Sequence, residues 1–546
     1  MNAVSFHDDV RQNAGRAGPL VRYADLIALI LIVIGVLRIL PAMSLYSVTS
    51  DEPLHVSAGM ELVTQHRYHF QAENPPLPRL VFAWPLWRAG GGMFDPALDA
   101  STQMKRLFYA SGHYVRDIFL ARVGNLLFFI IASLATWWLA RRELGRLGGL
   151  VAMLLFTTQP VVLGYTSIAN LDMASVAGLA LALLAFSRWI ERPTLLRAVV
   201  FGAAYGFAVG MKFANIPYVP AACAGMYVAH LILTPAVRAA WRRPLVQLPA
   251  AAIATMVVIW ANYLFAVGTF AEYGFLKPPP DTIVGRMLAP LDPSTPLPAP
   301  HFFAGVAGIM RIDRAGHLSY LFGEQRMDGW WWYFPIATAL KTTLATLFFV
   351  FAGFAFTRRK AIFIGCVLAV LGILAAAAPA KLDIGVRYVL PLYVPLTIAA
   401  ALAAMAMLQH PRKAFRAAAI VLLVWHTGVS LVAHPDYFPY FNELAGRDPS
   451  RYLVDSNLDW GQDVLRLQKI TADEKMDKLG IHLVGMHDYK ALGFPPTHHV
   501  DAITPTQGWV AVSEHAYRMG SGEGWWWLRG RPYRRVGASI RLYSIP

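Results

Sequence analysis

Long apolar stretches separated by short polar connectors dominate this chain. They fall at about residues 24–42, 117–139, 148–167, 172–190, 197–213, 216–234, 245–268, 334–356, 361–379, 389–408 and 416–433. Several exceed the ~18 apolar residues that mark a membrane helix. The pattern predicts an all-α polytopic membrane protein with about eleven transmembrane helices. The segment Leu77 to Trp87 is too short to span and is interrupted by proline, so it is expected to lie along the interface. Counting it as a twelfth span would invert every later connector.

Charge fixes an expected orientation. Arg141, Arg142 and Arg146 lie in one connector, Arg192 and Arg197 in another, and Arg238, Arg242 and Arg243 in a third. Arg358, Arg359 and Lys360, then Arg412, Lys413 and Arg416, continue the series, and Arg11, Arg16 and Arg22 precede the first span. Basic residues in alternate connectors are what cytoplasmic loops carry. The N-terminus is therefore expected in the cytoplasm of a cell with an inner membrane. Residues 43–116, 269–333 and 434–546 are expected on the outer face. This divides the chain into a transmembrane domain, 1–433, and an outer-face α/β domain, 434–546.

Composition agrees with this class. The chain has 546 residues, of which 56% are hydrophobic and only 15% charged, too apolar for a soluble globular protein. Met1 to Arg22 is polar and the following run lacks a small-residue cleavage site, which suggests a retained helix. Cys223 and Cys366 both sit inside apolar runs and form no disulfide framework. The formal charge of +15 points to membrane lipids or a phosphorylated substrate. The basic residues do not interleave with aromatics as in a nucleic-acid binder, so no nucleic acid is expected as a partner.

Outside the spans, the loop 269–333 is rich in proline and ends in Trp330-Trp331-Trp332-Tyr333. Those aromatics are expected in an interfacial belt, and the loop's length suits a lid over a site. After His434, Arg451–Val454 and Ile481–Val484 read as strands flanking a helix at Val464–Ala472. Two further strands are expected at Trp509–Val512 and Ser539–Tyr543. Ligands gather at the carboxyl ends of strands in such units, which here carry Asp455, Asn457 and Asp459, and then His487-Asp488. Those three residues are candidates for acceptor binding, with an Asx-rich helix cap as the plainer reading.

Candidate chemistry begins just after the first span, at Ser50-Asp51-Glu52-Pro53-Leu54-His55. Ionisable groups held near hydrocarbon are expensive, which makes Asp51 and Glu52 functional candidates, although two solvated loop charges would look the same. The hairpin Ala169-Asn170-Leu171-Asp172 brings another carboxylate to that face, where Asn170 or Asp172 can also cap a helix. Lys212 lies midway through a long apolar stretch, at an expected outer hairpin. Arg387, with Tyr388, sits at another outer helix start. Each cation either snorkels to headgroups or binds a phosphate. A carboxylate base beside cations that receive a leaving phosphate is a coherent constellation.

Two long motifs carry a family resemblance. Asp51-Glu52-Pro53, His55 and Gly59, followed by Glu73, Pro75-Pro76-Leu77 and Pro85-Leu86, form the first. Tyr440-Phe441-Asn442-Glu443-Leu444-Ala445-Gly446 and Leu453 through Asp463 form the second. Together they resemble a bacterial group of phospholipid-carrier-dependent glycosyltransferases. That group belongs to the protein-mannosyltransferase-like branch of the GT-C superfamily. The resemblance implies a polyprenyl-phosphate-linked sugar as donor and a glycan, lipid or protein as acceptor. It implies catalytic roles for Asp51 with Glu52 and for Asp172, and donor-phosphate binding by Lys212, Arg387 and Tyr388. His55, Glu73 and Asn170 would support them. The chain departs from many relatives in having Asn74 where they have histidine before Pro-Pro-Leu. Acid pairs without histidine spacing suit a hard divalent cation such as Mg or Mn, or no metal.

The expected activity is transfer of a sugar from a polyprenyl-phosphate carrier to an acceptor at the outer face, with inversion and with Asp51 as base. A transporter or flippase for lipid-linked sugars would use similar charges, but inverted repeats and broken midplane helices are not evident. A sugar-binding receptor would not need about eleven spans.

Overall fold

The computed structural model describes residues 19–71, 73–92, 94–239, 241–269, 285–286, 292, 294–520 and 524–546. Arg11, Arg16 and most of the proline-rich part of the 269–333 loop lie outside them. The protein is a mostly helical multi-span membrane protein with a small C-terminal mixed sheet. Among the described residues, eight helices are long and apolar enough to cross a membrane, and a bent pair makes nine.

Each of the eleven expected spans has a helical counterpart, but four differ in form. The second and third meet in the run Tyr114–Thr157, where the backbone leaves helical geometry at Gly145 (φ 79°, ψ −177°). That positive φ suits glycine, and it falls in the basic connector predicted there. The fifth, Leu195–Met211, is shorter than a full span. The eighth is not one helix: Tyr333–Lys341 and Leu344–Phe356 meet at 111°. The break is held by buried polar groups. Lys341 Nζ donates to the carbonyls of Phe438 (2.9 Å) and Asn457 (2.6 Å), and Asn442 Nδ2 donates to those of Ala339 and Thr342, each at 2.6 Å. Donors from the C-terminal motifs thus satisfy carbonyls freed around the bend.

Two spans lie at the centre. The apolar window of Leu171–Glu191 is 83% buried and that of Val386–Leu408 is 94% buried, against 17% for Lys413–Val432. The first loop packs over one end of this bundle. Its helices Glu52–Gln65 and Pro76–Arg88 touch so closely at Gly59 that a Cβ there would lie 2.0 Å from the Arg79 carbonyl oxygen. The expected interfacial segment is therefore the helix Pro76–Arg88. It buries Phe82 and Leu86 while exposing Trp84 and Trp87.

The expected aromatic belt is only partly a surface feature. Trp331 is exposed, but Trp330 is buried and donates its backbone N–H to Asp383 Oδ2 at 2.6 Å.

The C-terminal region has a five-stranded sheet in the order Thr497–His499, Leu479–His482, Gly508–Ser513, Ile540–Ile545, Arg534–Val536. The first three strands are parallel and the last two antiparallel. Alternating residues serve two small cores, with Ala511 on the side of the helix Val464–Asp473, and Val510 and Val512 on the side of Trp525 and Trp527. The strand expected at 451–454 does not form. That stretch is a short 3-10 turn, Pro449–Arg451, followed by irregular chain. The reason is tertiary: Tyr437, Phe438, Leu453 and Trp460 are buried in the main membrane-domain core, so this chain is spent on the bundle, not the sheet.

Candidate active site

Asp51 immediately precedes the helix Glu52–Gln65, whose first turn is stiffened by Pro53. Its side chain does not cap the helix. Instead Oδ2 accepts a hydrogen bond from Arg387 Nη1 at 3.1 Å. Arg387 sits at the start of a central span, with Nε donating to Ser456 Oγ at 3.1 Å and its guanidinium 4.3 Å from the Trp460 ring centre. Gly385 makes this possible by close approach, since a Cβ there would lie 2.1 Å from Ser456 Oγ.

A second ion pair lies alongside. Lys212, at the C-terminal end of Leu195–Met211, reaches Asp172 Oδ1 at 2.5 Å. Tyr388 joins the two pairs: its ring centre lies 4.8 Å from Lys212 Nζ and 5.0 Å from the Arg387 guanidinium carbon. The two cations thus converge on one aromatic face. Burial raises the Asp51 carboxyl above the usual carboxylate range. Arg387 opposes that shift, and the charges of Asp172 and Asp455 add to it.

His55 is buried nearby. Burial first, then the charges of Arg79, Arg387 and Lys212, hold its imidazole well below the usual histidine range, so it is neutral. Its Nδ1, together with Asn170 Nδ2 and Asp172 Oδ2, has no hydrogen-bond partner among the described residues. Buried polar atoms are nearly always paired within the protein, so orphans in one neighbourhood mark a site for a polar ligand. Among the described residues no group of three His, Cys, Asp or Glu side chains could hold a metal ion.

Residues 108–262 match the family model described as dolichyl-phosphate-mannose-protein mannosyltransferase. That match covers part of the membrane-spanning region. Solved structures similar to this chain include ArnT from Cupriavidus metallidurans bound to undecaprenyl phosphate. The two share 12% identity and a TM-score of 0.48, over 94% of this chain and 97% of that one. The archaeal oligosaccharyltransferase AglB from Archaeoglobus fulgidus, in complex with an inhibitory peptide and a dolichol-phosphate, shares 13% identity. Its TM-score is 0.43, over 75% of this chain and 56% of that one. No curated protein sequence matches the chain.

The remaining expected site residues divide into those near the two ion pairs and those placed elsewhere. Glu52 does not orient Asp51. Its Oε1 accepts from Arg122 Nε (2.7 Å) and the Ala169 amide (2.8 Å), and its Oε2 from Arg122 Nη2 (2.6 Å) and the Thr49 amide (2.8 Å). With both oxygens occupied and the pair wholly buried, Glu52 ties the first loop to the 169–172 hairpin. Asn170 caps the helix Leu171–Glu191, accepting from the Asp172 amide at 3.2 Å. Glu73 packs instead on Gly308, where a Cβ would lie 2.7 Å from Glu73 Cγ.

In the C-terminal motif, Asp455 faces the site electrostatically, whereas its two companions are structural. Asn457 Oδ1 accepts from the Val386 amide at 2.9 Å and Nδ2 donates to Tyr333 Oη at 2.9 Å, fixing the backbone beside Arg387. Asp459 is buried, accepts the His515 amide at 2.8 Å, and has a carboxyl pushed up to about 7 by desolvation. It is a turn anchor, not an exposed acceptor ligand. Arg122, Lys341, Ser456 and Trp460 were not expected at this site. The two basic residues carried a signal, because an Arg or Lys inside an apolar helix needs a partner. Ser456 and Trp460 carried none beyond lying in the second motif.

Proposed function

We propose that this protein is a glycosyltransferase that moves a sugar from a polyprenyl-phosphate carrier to an acceptor hydroxyl at the outer face of the cytoplasmic membrane. The observation that carries the reading is the meeting of the Asp51–Arg387 and Asp172–Lys212 pairs around Tyr388. An incoming lipid phosphate competes for both cations. As Arg387 and Lys212 turn to it, Asp51 loses its counter-ion and becomes the stronger base, a change that its raised carboxyl pKa already favours. Asp51 then takes the acceptor hydroxyl proton while the acceptor oxygen bonds to the anomeric carbon. The bond from that carbon to the phosphate oxygen breaks, and the phosphate leaves with the electron pair onto Arg387 and Lys212. Attack opposite the leaving phosphate inverts the anomeric centre. Asp172 positions Lys212, and the neutral His55 offers a polar contact to the donor sugar. Residues 1–433 supply this donor site, and 434–546 complete it through Ser456 and Asp455.

Mass spectrometry of lipid co-purifying with the detergent-extracted protein tests the reading. It predicts a polyprenyl phosphate, bare or bearing one sugar. Co-purification of ordinary phospholipid alone, with no competition from added polyprenyl phosphate, would overturn it.

A further inference from the structure

The C-terminal sheet places three parallel strand ends at one edge: His482, His499 and Ser513, the last leading into the short helix that bears His515. Two cavities open along this edge, of about 280 and 310 Å³. His482 and Leu483 line both, so the cavities are neighbouring parts of one groove. Such crevices outside the carboxyl ends of parallel strands are the usual ligand positions in open sheets. Their joint size falls in the range of small-molecule sites.

The lining is chemically selective. Trp525 and Tyr489 supply aromatic rings, and four histidines, 482, 498, 499 and 515, supply hydrogen-bonding edges. Among the described residues no lysine, arginine, aspartate or glutamate lines either cavity. His482 Nδ1 lies 2.9 Å from the Val500 carbonyl, which can only accept, so Nδ1 donates in that bond. His499 is exposed, with its ring centre 4.8 Å from that of His482. Flat aromatic faces beside imidazole edges suit a ring with an apolar face and hydroxyl edges. They do not suit a phosphate headgroup or a charged peptide.

The groove is also tied to the two ion pairs. His515 lines it, has its amide fixed by Asp459, and has Nδ1 3.9 Å from Asp455 Oδ2. Asp455 in turn is close enough to Asp51 for its charge to shift that carboxyl. We infer that this groove binds the acceptor as a neutral saccharide, whose far end reaches past Asp455 toward Asp51. The inference rests on the transfer reaction proposed above and names its acceptor class.

Binding is measured on the purified full-length protein with mannotriose, maltotriose and chitotriose as probes, and with a serine- and threonine-rich peptide beside them. Saturable binding of at least one trisaccharide is expected. It should weaken several-fold to about tenfold in His499→Ala and in His482→Ala, the loss of one ring contact or hydrogen bond. His499 is exposed, so its replacement leaves the fold intact, and polyprenyl-phosphate binding should be unchanged in both variants. Binding of the peptide alone, of no trisaccharide, or of a trisaccharide equally well in both variants would overturn the groove assignment. If wild-type protein still binds polyprenyl phosphate in those cases, the transfer reading stands. If it does not, the transfer reading fails first.

Discussion

Replacing Arg122 by alanine tests whether the first loop is held by a structural ion pair. Both Arg122 and Glu52 are essentially inaccessible to solvent. Arg122 donates twice to Glu52, and also to the carbonyls of Met43 (2.7 Å), Tyr46 (2.8 Å) and Ser47 (2.7 Å). Truncation leaves a buried carboxylate without its cation and three carbonyls without that donor. Breaking a buried pair by removing one partner costs roughly 3–5 kcal/mol, mostly from the uncompensated charge. The pair Arg534–Glu474 is a built-in comparison, because both members are partly exposed and its loss should cost under about 1 kcal/mol. Unfolding of the detergent-purified variants against wild type measures both. Replacing the pair together, as Arg122→Met with Glu52→Leu, should recover much of the loss, since no unpaired charge remains. An Arg122→Ala protein no less stable than Arg534→Ala would refute the reasoning. So would a double variant as unstable as the single one.

Two further outcomes follow from the same geometry. Lys212→Ala or Arg387→Ala should weaken polyprenyl-phosphate binding about tenfold or more, the worth of one charge-assisted contact, as read by lipid titration of the purified protein. Asp383 is buried and its carboxyl is pushed up to about 7 by desolvation. Its folded value lies above the unfolded one of about 3.9, so its stabilising contribution is complete below that pH and is lost as pH rises toward 7. Thermal unfolding across that window should show wild type losing stability relative to Asp383→Asn as pH increases, whereas parallel curves would contradict this.

Much of the architecture was legible because apolar run length and basic connectors are strong signals in a membrane protein. The Lys212 hairpin and the short 169–172 turn lie where those signals put them, whereas the helix Glu52–Gln65 falls in a stretch read only as a loop. What sequence could not show was pairing. Nothing local distinguishes Asp51 from Glu52, yet one faces Arg387 with an oxygen partly open and the other is sealed against Arg122. The bend at Thr342-Thr343 was hidden for the same reason, since its satisfying donors arrive from residues a hundred positions away. Arg451–Val454 has strand propensity, but burial against the bundle overrides it.

The most direct test of the proposed mechanism is to measure donor binding and turnover on one preparation of Asp51→Asn. The substitution keeps the size of the side chain and an oxygen that can accept from Arg387, and it removes the base. Turnover should fall by about 10²–10⁴, the usual worth of general-base assistance, while polyprenyl-phosphate binding persists. Turnover within a few-fold of wild type, with donor bound normally, would show that Asp51 is not the base.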